Sequence, residues 1–446
     1  MIQGIDLTPV QEKIQNTRVI KTVGKVTRVV GLTIEVQGIN ARIGEICTIA
    51  VPEYSKPVRA EVVGFKENKT IMMPLGNIQG IYPHCSVVPT GRSLTIKVGE
   101  HLLGQILDGL GNIISPGQHQ EDTHLGNPFP VDNSPPNPLE RQPINQVLAT
   151  GVRCIDAFLT CGRGQRVGIF AGSGVGKSTL LGMISRYSEA DVNVIGLIGE
   201  RGREVLDFIN DDLGEEGLAK SVVVSVTSDQ PALVRLKGAF VATAIAEYFR
   251  DQGKNVLLLM DSVTRFAMAQ REVGLAVGEP PATKGYTPSV FALLPRLLER
   301  SGTSSNGSIT AFYTVLVDGD DMNEPIADAV RGILDGHIVL SRKTASKYQY
   351  PAIDVLDSVS RLMPDITPEK HYLQAGKVRE LLSTYRESED LINIGAYVSG
   401  SNSTIDKAIK HHDKITGFLK QDLNESSDYP ATIQQLMNLG TGGTGK

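Results

Sequence analysis

The 446-residue chain has no tryptophan and few cysteines, and none of its apolar runs approaches the roughly 18 residues of a membrane-spanning helix. Its four cysteines are scattered without a Cys-x-x-Cys pair, which predicts reduced, buried thiols and no disulfides. The amino terminus lacks the charged-then-apolar pattern of a signal peptide. We therefore expect a cytoplasmic protein without a transmembrane helix.

The chain also lacks an excess of positive charge. Its net charge is −5 at pH 7, so it has no overall electrostatic footprint for wrapping nucleic acid, and we expect no nucleic-acid partner. Hydrophobic residues make up 41% and charged residues 21% of the chain, which is an ordinary balance for a globular protein. A chain of this length can form two or three domains with a large buried core.

A glycine-rich loop dominates the middle of the chain. Residues 171–178 read Ala-Gly-Ser-Gly-Val-Gly-Lys-Ser and lie between an apolar run and a stretch with helical spacing of Leu180 and Ile184. Strand, glycine loop and helix are the context of a phosphate-binding P-loop, in which glycines let phosphate oxygens approach backbone N–H groups. Ala171 stands where the strict pattern has glycine. The predicted nucleotide-binding residues of the loop are Gly172, Ser173, Gly174, Val175, Gly176, Lys177, Ser178 and Thr179.

Charged groups beside this loop would add hydrolysis to nucleotide binding. Lys177 can reach the β- and γ-phosphates of ATP, and the Ser178 hydroxyl can ligate Mg²⁺. Asp261 ends one apolar, strand-like run and Glu200 follows another, so both carboxylates should lie beside the P-loop. There Asp261 suits the Mg²⁺ shell, and Glu200 suits polarising the attacking water. The alternative for Asp261 is a helix N-cap.

Three further side chains are candidates for the same chemistry. Arg201 can hold the γ-phosphate or fix Glu200, although these residues could instead form a surface ion-pair cluster with Glu204. Tyr350, which precedes a proline, offers an aromatic ring for stacking on a base. Arg361 is a candidate arginine finger. The alternative for both Tyr350 and Arg361 is an ordinary surface position.

Sequence patterning also predicts how the chain is divided. Apolar and polar residues alternate between closely spaced glycines over 18–90, which is typical of a small β-barrel. Six prolines within 126–143 exclude a helix or a central strand and leave an extended connector. The predicted divisions are an arm at 1–17, a β-barrel at 18–90, a connector at 91–144, an α/β ATPase core at 145–365, a helical domain at 366–440 and a tail at 441–446.

Within the core, strand-like and helix-like runs alternate, which indicates a mostly parallel sheet covered on both faces. One predicted helix is 232–250. Pro295 should kink or break the helix-like run 291–300, because proline removes a backbone donor. The strand-like runs are 166–170, 192–198, 221–226, 255–260, 308–317 and 337–341.

Together these motifs resemble one family over residues 18–440. The chain is similar to the rotary ATPase superfamily, which is related to the catalytic β subunit of F-type ATP synthase. Within it, the chain resembles the ATPases of type III protein export, in particular their flagellar branch. Besides the P-loop, the stretches that carry the resemblance are Gly199–Val205, Asp261–Phe266, Arg271–Gly274, Gly278–Pro281, Ile326–His337, Tyr350–Asp354 and Ser358–Arg361.

The resemblance implies an N-terminal β-barrel, a RecA-like P-loop core and a C-terminal helical domain. It implies a homohexamer at the inner face of the cell membrane, with ATP and Mg²⁺ at subunit interfaces. The implied partners are an ATPase regulator, which the arm at 1–17 would meet, a central stalk protein, an export gate and chaperone–substrate complexes. By the same resemblance the catalytic residues are Lys177, Glu200, Arg201, Asp261 and Arg361, with Tyr350 stacking on adenine, Ser178 and Asp261 at the metal, and Arg361 reaching the neighbouring subunit's site.

Four other functions share parts of these motifs. A virulence-associated type III secretion ATPase would have the same catalytic residues. The catalytic subunit of an ATP synthase usually has Gly-Lys-Thr where this loop has Gly-Lys-Ser. A non-catalytic nucleotide-binding subunit should lack the carboxylate that Glu200 supplies. A hexameric RNA translocase needs basic and aromatic residues on its barrel, and 18–90 contains only Phe65 and Tyr82 as aromatics besides Tyr54.

Overall fold

The computed structural model of the protein describes residues 22–51, 56–115, 126–317, 319 and 321–439. The chain divides into two compact units between Leu94 and Thr95. The predicted arm at 1–17 and tail at 441–446 lie outside the described residues. Over the described ranges, no helix combines the length and the apolar character needed to cross a membrane.

The first unit is a closed barrel of six strands. The strands are β1 (Gly24–Val30), β2 (Thr33–Gln37), β3 (Glu45–Ala50), β4 (Val58–Lys66), β5 (Lys69–Pro74) and β6 (Ser86–Ser93). They close in the order β1-β2-β5-β4-β3-β6. Val26, Ile34, Val36 and Ile49 are fully buried inside, because alternate residues of each strand point to the interior. The predicted barrel is confirmed.

Short paired strands lead from the barrel into the second unit. β7 (Thr95–Val98) pairs with β9 (Asn127–Pro130), and β10 (Val147–Leu148) pairs with β11 (Cys161–Gly162). β8 (Ile106–Leu107) joins the edge of the central sheet. Residues 127–130 are extended, as expected for this connector, and they also pair as an edge strand. In a two-stranded sheet each strand has a free edge, where the missing N–H of a proline leaves no bond unmade.

The second unit is built around a nine-stranded sheet. Its order is β19-β18-β12-β17-β15-β13-β14-β8, with β16 paired to β17. All neighbours are parallel except the pairs β18–β19 and β16–β17. Besides β8, the strands are β12 (Arg166–Ala171), β13 (Val192–Glu200), β14 (Ser221–Thr227), β15 (Asn255–Asp261), β16 (Gly302–Thr303), β17 (Ser308–Leu316), β18 (Gly336–Leu340) and β19 (Ile353–Ser360).

The six predicted core strands are all present, and the sheet is mostly parallel as expected. Every residue of Val192–Glu200 is buried, because helices cover both faces of the sheet. The helices of this part are α1 (Arg153–Phe158), α2 (Lys177–Tyr187), α3 (Gly202–Asp207), α4 (Gly214–Ala219), α5 (Ala232–Asp251), α6 (Val263–Val277), α7 (Pro288–Leu298), α8 (Pro325–Ile333) and α9 (Arg342–Ser346), with a π-helix at Phe208–Leu213 and 3-10 turns at Glu100–Leu102, Pro138–Glu140 and Thr283–Gly285.

Pro295 does not break its helix. The helix Pro288–Leu298 continues through this residue for three more positions. The proline removes one backbone hydrogen bond, but the apolar face of the helix holds Val290, Leu294 and Leu297 fully buried. Burial of these side chains offsets the lost bond, since tertiary packing supplies most helical stability in proteins.

The described residues from 363 to 438 are mostly helical, as predicted. Its helices are α10 (Met363–Ile366), α11 (Glu369–Asn393), α12 (Ser403–Leu419) and α13 (Tyr429–Asn438). Val378 is fully buried, and Leu381 and Leu382 pack against the same core. Tyr385 stacks on His412 with 3.5 Å between ring centroids, which joins α11 to α12.

All four cysteines are free and buried. Cys47 and Cys85 lie in the barrel, and Cys154 and Cys161 lie in the second unit. Burial raises the pKa of Cys154 to about 12, which keeps the thiol protonated and unreactive. The predicted packing role of reduced cysteines is confirmed.

Candidate active site

The P-loop lies at the carboxyl end of β12, immediately before α2. Gly174 and Gly176 have φ angles of 78° and 86°, a left-handed conformation that other residues adopt at a cost. The turn aims the amino end of α2, with its free N–H groups and positive dipole, at the space above the loop. Val175 is buried in the core, so it can contribute only its backbone to a ligand.

Lys177 lies between two acidic side chains. Its ammonium donates to Oδ1 of Asp261 and lies 3.6 Å from Oε1 of Glu200. Burial alone would lower the pKa of Lys177, but the two carboxylates outweigh burial and raise it. Thr314 also donates to Asp261 Oδ1 at 2.7 Å. Ser262, and not Asp261, caps α6, so the N-cap alternative for Asp261 does not hold.

Glu200 ends β13 with only 8% of its surface exposed. Burial, and then the negative charge of Asp261, raises the pKa of Glu200 to about 7. No described residue donates a hydrogen bond to its Oε1. A buried carboxylate oxygen without a donor is suited to accept a proton from a bound water, because that water would satisfy it.

These side chains open onto one cavity of about 470 Å³. Its lining contains predicted residues from the P-loop together with Glu200, Arg201 and Asp261. Seven more residues of the lining were not predicted to have a role: Leu197, Glu204, Val205, Phe208, Arg265, Leu316 and Val317. Arg265 carries a signal in the sequence, because it follows Asp261 by four residues and therefore falls in the first turn of the helix after that strand.

Arg201 lies at the edge of the cavity. Its side chain is 77% exposed and pairs with Glu204 at 3.3 Å. Arg201 and Glu204 therefore form the surface ion pair that was the alternative prediction, whereas Glu200 is buried and does not join it. The exposed guanidinium does not fix Glu200 in this arrangement.

Tyr350 lies beside the P-loop. A Cβ placed on Gly176 would be 3.5 Å from the Tyr350 ring, so the ring lies next to the loop. The ring is partly exposed, and the Tyr350 carbonyl accepts a hydrogen bond from the Gln421 backbone at 3.0 Å. The position leaves an aromatic face available near the phosphate site.

Arg361 lies at the opposite end of the sheet. β19 runs antiparallel to β18, with Ile353 opposite Leu340 and Ser360 opposite Gly336. Since β18 is parallel to β12, the start of β19 lies near the P-loop and its end lies at the amino edge of the sheet. A strand advances about 3.3 Å per residue, so Arg361 lies roughly 15 Å or more from its own phosphate site.

Family models match three parts of the chain. The ATP synthase alpha/beta family nucleotide-binding domain matches residues 151–360, and the beta-barrel domain of that family matches 26–91. The C-terminal domain of the type III secretion ATPase EscN matches 367–438.

Relatives and solved structures agree with these matches. A flagellum-specific ATP synthase of Bacillus subtilis is 57% identical over 96% of this chain and 97% of its own. A type 3 secretion system ATPase of Xanthomonas euvesicatoria is 49% identical over 97% of both chains. The assembled ATPase EscN of enteropathogenic E. coli superposes with a TM-score of 0.88 at 47% identity, covering 94% of this chain and 100% of that one. This chain is a member of the type III export ATPase family.

Membership in the type III export ATPases explains the chemistry of the cavity. Members hydrolyse ATP, and the nucleotide-binding domain of the family is the part that contains Lys177, Glu200 and Asp261. The match of 367–438 to the EscN C-terminal domain separates the chain from ATP synthase catalytic subunits, which the Gly-Lys-Ser loop also disfavoured. Glu200, close to Lys177, argues against a non-catalytic subunit.

The residues that line the cavity can be compared with the donor set of a nucleotide-bound metal. No group of three or more His, Cys, Asp or Glu side chains among the described residues could hold a metal ion. Mg²⁺ commonly takes one or two protein oxygens and completes its shell with phosphates and water. The Ser178 hydroxyl and the Asp261 carboxylate line the same cavity and fit that donor set.

Proposed function

We propose that this chain is the ATPase of flagellar type III export and that its sites are completed between neighbouring copies in a homohexameric ring. One observation carries the proposal: β19 brings Tyr350 to its own P-loop and takes Arg361 to the opposite end of the sheet. Because Arg361 lies far from the phosphate site of its own subunit, it can act as an arginine finger only at the site of a neighbouring subunit. A ring of identical subunits joined head to tail supplies such a neighbour for every copy.

The proposed mechanism assigns a role to each side chain of the cavity. The P-loop N–H groups and Lys177 bind the β- and γ-phosphates, so Lys177 moves from the two carboxylates to the nucleotide. Ser178 and Asp261 hold Mg²⁺, which supplies charge neutralisation on the phosphate oxygens when bound. Tyr350 stacks on the adenine.

Glu200 and two arginines then act on the reaction itself. Ionised Glu200 orients the attacking water and draws its proton toward Oε1, the oxygen without a donor. Arg201, at the cavity edge, turns to the γ-phosphate. Arg361 of the neighbouring copy stabilises charge on the transferred phosphoryl group in the transition state.

The wider assembly follows from relatives. EscN has been solved assembled and in complex with its central stalk EscO. By this similarity, we place the chain in the cytoplasm at the inner membrane face, with a regulator, a stalk protein, an export gate and chaperone–substrate complexes as partners and no nucleic acid. The barrel would hold the ring together. The domain division at 90, 144, 365 and 440 is part of the proposal.

The flagellar assignment rests on relatives. Flagellum-specific ATP synthases of Bacillus subtilis and Treponema pallidum are 57% and 53% identical, and the type 3 secretion ATPase of Xanthomonas is 49% identical. Deleting the chain from its own cell should abolish swimming and filament assembly. Intact filaments with a loss of effector secretion would assign it to virulence export instead.

Mixed rings test the shared site. Glu200→Gln subunits lack the water-orienting carboxylate and keep their arginine, while Arg361→Ala subunits keep the P-loop and Glu200. In a mixed ring, some interfaces pair an intact nucleotide site with an intact Arg361. Combining two nearly inactive proteins should therefore restore single-turnover hydrolysis, with mixed rings confirmed by mass spectrometry. Absence of rescue at every ratio would show that Arg361 does not act across the interface.

A dilution series gives an independent measurement. If the site is incomplete in one subunit, specific activity should rise with protein concentration as rings form, and light scattering would follow assembly in the same samples. Flat specific activity from monomer to ring would contradict a shared site.

A further inference from the structure

Main-chain oxygens hold Arg361 at the amino end of the sheet. Its backbone N–H donates to the Asp335 carbonyl at 3.1 Å, and its guanidinium donates to the Arg331 carbonyl at 3.4 Å. Both acceptors belong to the segment 331–335, which comprises the end of α8 and the two residues that join it to β18. The direction in which Arg361 points therefore depends on where this segment lies.

The Asp335 side chain fixes that segment to β12. Arg166 Nε donates to Oδ2 and Arg166 Nη2 to Oδ1, both at 3.1 Å, and the Arg166 backbone N–H donates to Oδ2 at 3.0 Å. In return, the Asp335 N–H donates to the Arg166 carbonyl at 2.9 Å. A two-pronged arginine–carboxylate pair is both strong and geometrically specific.

A second set of bonds ties the same segment to β19. The fully buried Gln165 donates from Nε2 to the Asp335 carbonyl at 3.3 Å and to Ser360 Oγ at 3.1 Å. A Cβ on Gly336 would be only 2.6 Å from the Val359 carbonyl, so the two strands approach closely just before Arg361. The segment is held on both sides, and Asp335 is the one member whose side chain makes an ion pair with β12.

We propose that Asp335, through its pair with Arg166, is a positioning residue for the Arg361 finger; the proposal rests on the shared site described above. Breaking the pair frees the segment whose carbonyl oxygens orient Arg361. A displacement of about 1 Å in a catalytic group can cost ~10²-fold in rate. Asp335→Asn keeps the shape of the side chain and removes its charge. It should lower kcat by about 10- to 100-fold and leave the Kd for ATP unchanged.

Mixed rings separate this role from an effect on the variant's own nucleotide site. If Asp335→Asn misplaces Arg361 and leaves its own P-loop intact, Glu200→Gln subunits should rescue hydrolysis. They contribute a correctly placed Arg361 to the neighbouring site. Asp335→Asn should not be rescued by Arg361→Ala, because no interface in that ring has a well-placed arginine. If Asp335→Asn instead damaged its own P-loop through β12, the pattern would reverse, and that result would overturn the proposal.

Glu299→Gln is the matched control. Glu299 pairs with the same Arg166 at 2.6 Å, but none of its hydrogen bonds reaches the segment 331–335 among the described residues. It should retain wild-type turnover; an equal loss in both variants would mean that only the charge balance of Arg166 matters and would refute the role of Asp335.

A second variant keeps the test decisive if Asp335→Asn does not fold or assemble. Arg166→Lys retains the charge without the planar fork, and it should give the same rescue pattern. Near wild-type kcat in either assembled variant would also refute the role. The pair Glu200→Gln with Arg361→Ala, measured in parallel, distinguishes the two proposals: if that pair fails to rescue, the shared site itself is wrong.

Discussion

The two ends of the central sheet contain different charged groups. At the carboxyl end, one buried ammonium, Lys177, faces the carboxylates of Asp261 and Glu200. At the amino end, Arg166 is paired with Asp335, and Arg361 is left exposed at the surface. The first end has carboxylates for a metal and a water, and its cavity also contains Arg201 and Arg265. The second end has an arginine and no phosphate site.

This difference indicates that neither end is a complete hydrolytic site. A phosphoryl transition state carries charge over three oxygens, and two cations of this cavity already face carboxylates: Lys177 faces Asp261 and Glu200, and Arg201 faces Glu204. In the proposed ring, Arg361 of a neighbouring copy adds a further positive charge to this site. Variants that change one end at a time test this division of roles.

Changing Arg361 should have the largest effect. Arg361→Ala should lower kcat by ~10³–10⁵, the contribution of arginine fingers in related chemistry, while ATP affinity changes little. Arg361→Lys should recover only a small part of the rate, because lysine lacks the planar fork of donors. Phosphate release alongside fluorescent-nucleotide titration measures both. A parallel loss of binding would place Arg361 in ground-state recognition instead.

Changing Lys177 at the other end should mainly weaken binding. Lys177→Ala should raise the Kd for ATP by about 30-fold or more, since losing one partner of a buried charge pair costs ~2–5 kcal/mol. Glu200→Gln is the matched control and should bind ATP nearly as the wild type does while turnover is abolished. Unchanged affinity in Lys177→Ala would remove the lysine from the phosphate site.

A smaller effect is expected from pH. The pKa of Glu200 is raised to about 7, and water activation needs the ionised form, so kcat/KM should fall about tenfold per pH unit as pH drops below about 7. A profile that is flat between pH 6 and 8 would contradict this role.

The raised pKa of Glu200 affects stability in the direction opposite to activity: stability should fall as pH rises. The folded-state pKa of Glu200 lies above its ordinary 4.5, so its contribution to stability is present below that value and is lost as pH rises through about 7. Glu200→Gln should therefore raise the Tm more at pH 8 than at pH 5. An equal change in Tm at both pH values would mean that the pKa of Glu200 is not raised in the folded protein.

The smallest effect is expected at Tyr350. Tyr350→Ala should raise the Kd for ATP roughly fivefold, because stacking on a base contributes ~1 kcal/mol or more. Tyr350→Phe should bind as the wild type does. Tyr348, 84% exposed and two residues away, is the control: Tyr348→Ala should leave the Kd unchanged. Equal effects of the two alanine variants would mean that Tyr350 acts through the loop and not through its ring.

Much of this arrangement could be predicted from periodicity and loop chemistry. The six core strands, the barrel and the clustering of Lys177, Glu200 and Asp261 follow from apolar runs that end in glycine or a carboxylate. The reversal at β19 could not be predicted, because a strand with the sequence Ile353–Ser360 reads the same in either direction. The antiparallel direction of β19 is what places Tyr350 and Arg361 at opposite ends of the sheet, and their positions in the sequence do not indicate this separation.

Two other differences have similar causes. The helix through Pro295 persists because tertiary burial outweighs local propensity, which a sequence window does not contain. Arg265 reaches the cavity through the helix that follows Asp261, and its direction depends on how that helix packs. In both cases long-range contacts decide what local sequence leaves open.

The antiparallel course of β19 gives the proposed ring a head-to-tail polarity. In this ring, each copy places Tyr350, before β19, at its own adenine and Arg361, after β19, at the phosphate of a neighbour. In a head-to-tail ring that neighbour lies on the same side of every copy. Nucleotide occupancy in one copy would therefore be coupled to that of its neighbour through a strand that spans roughly 15 Å, and such coupling acts equally in both directions. A single copy with a displaced β19 would then impair two adjacent nucleotides: its own at the base, and the next at the phosphate.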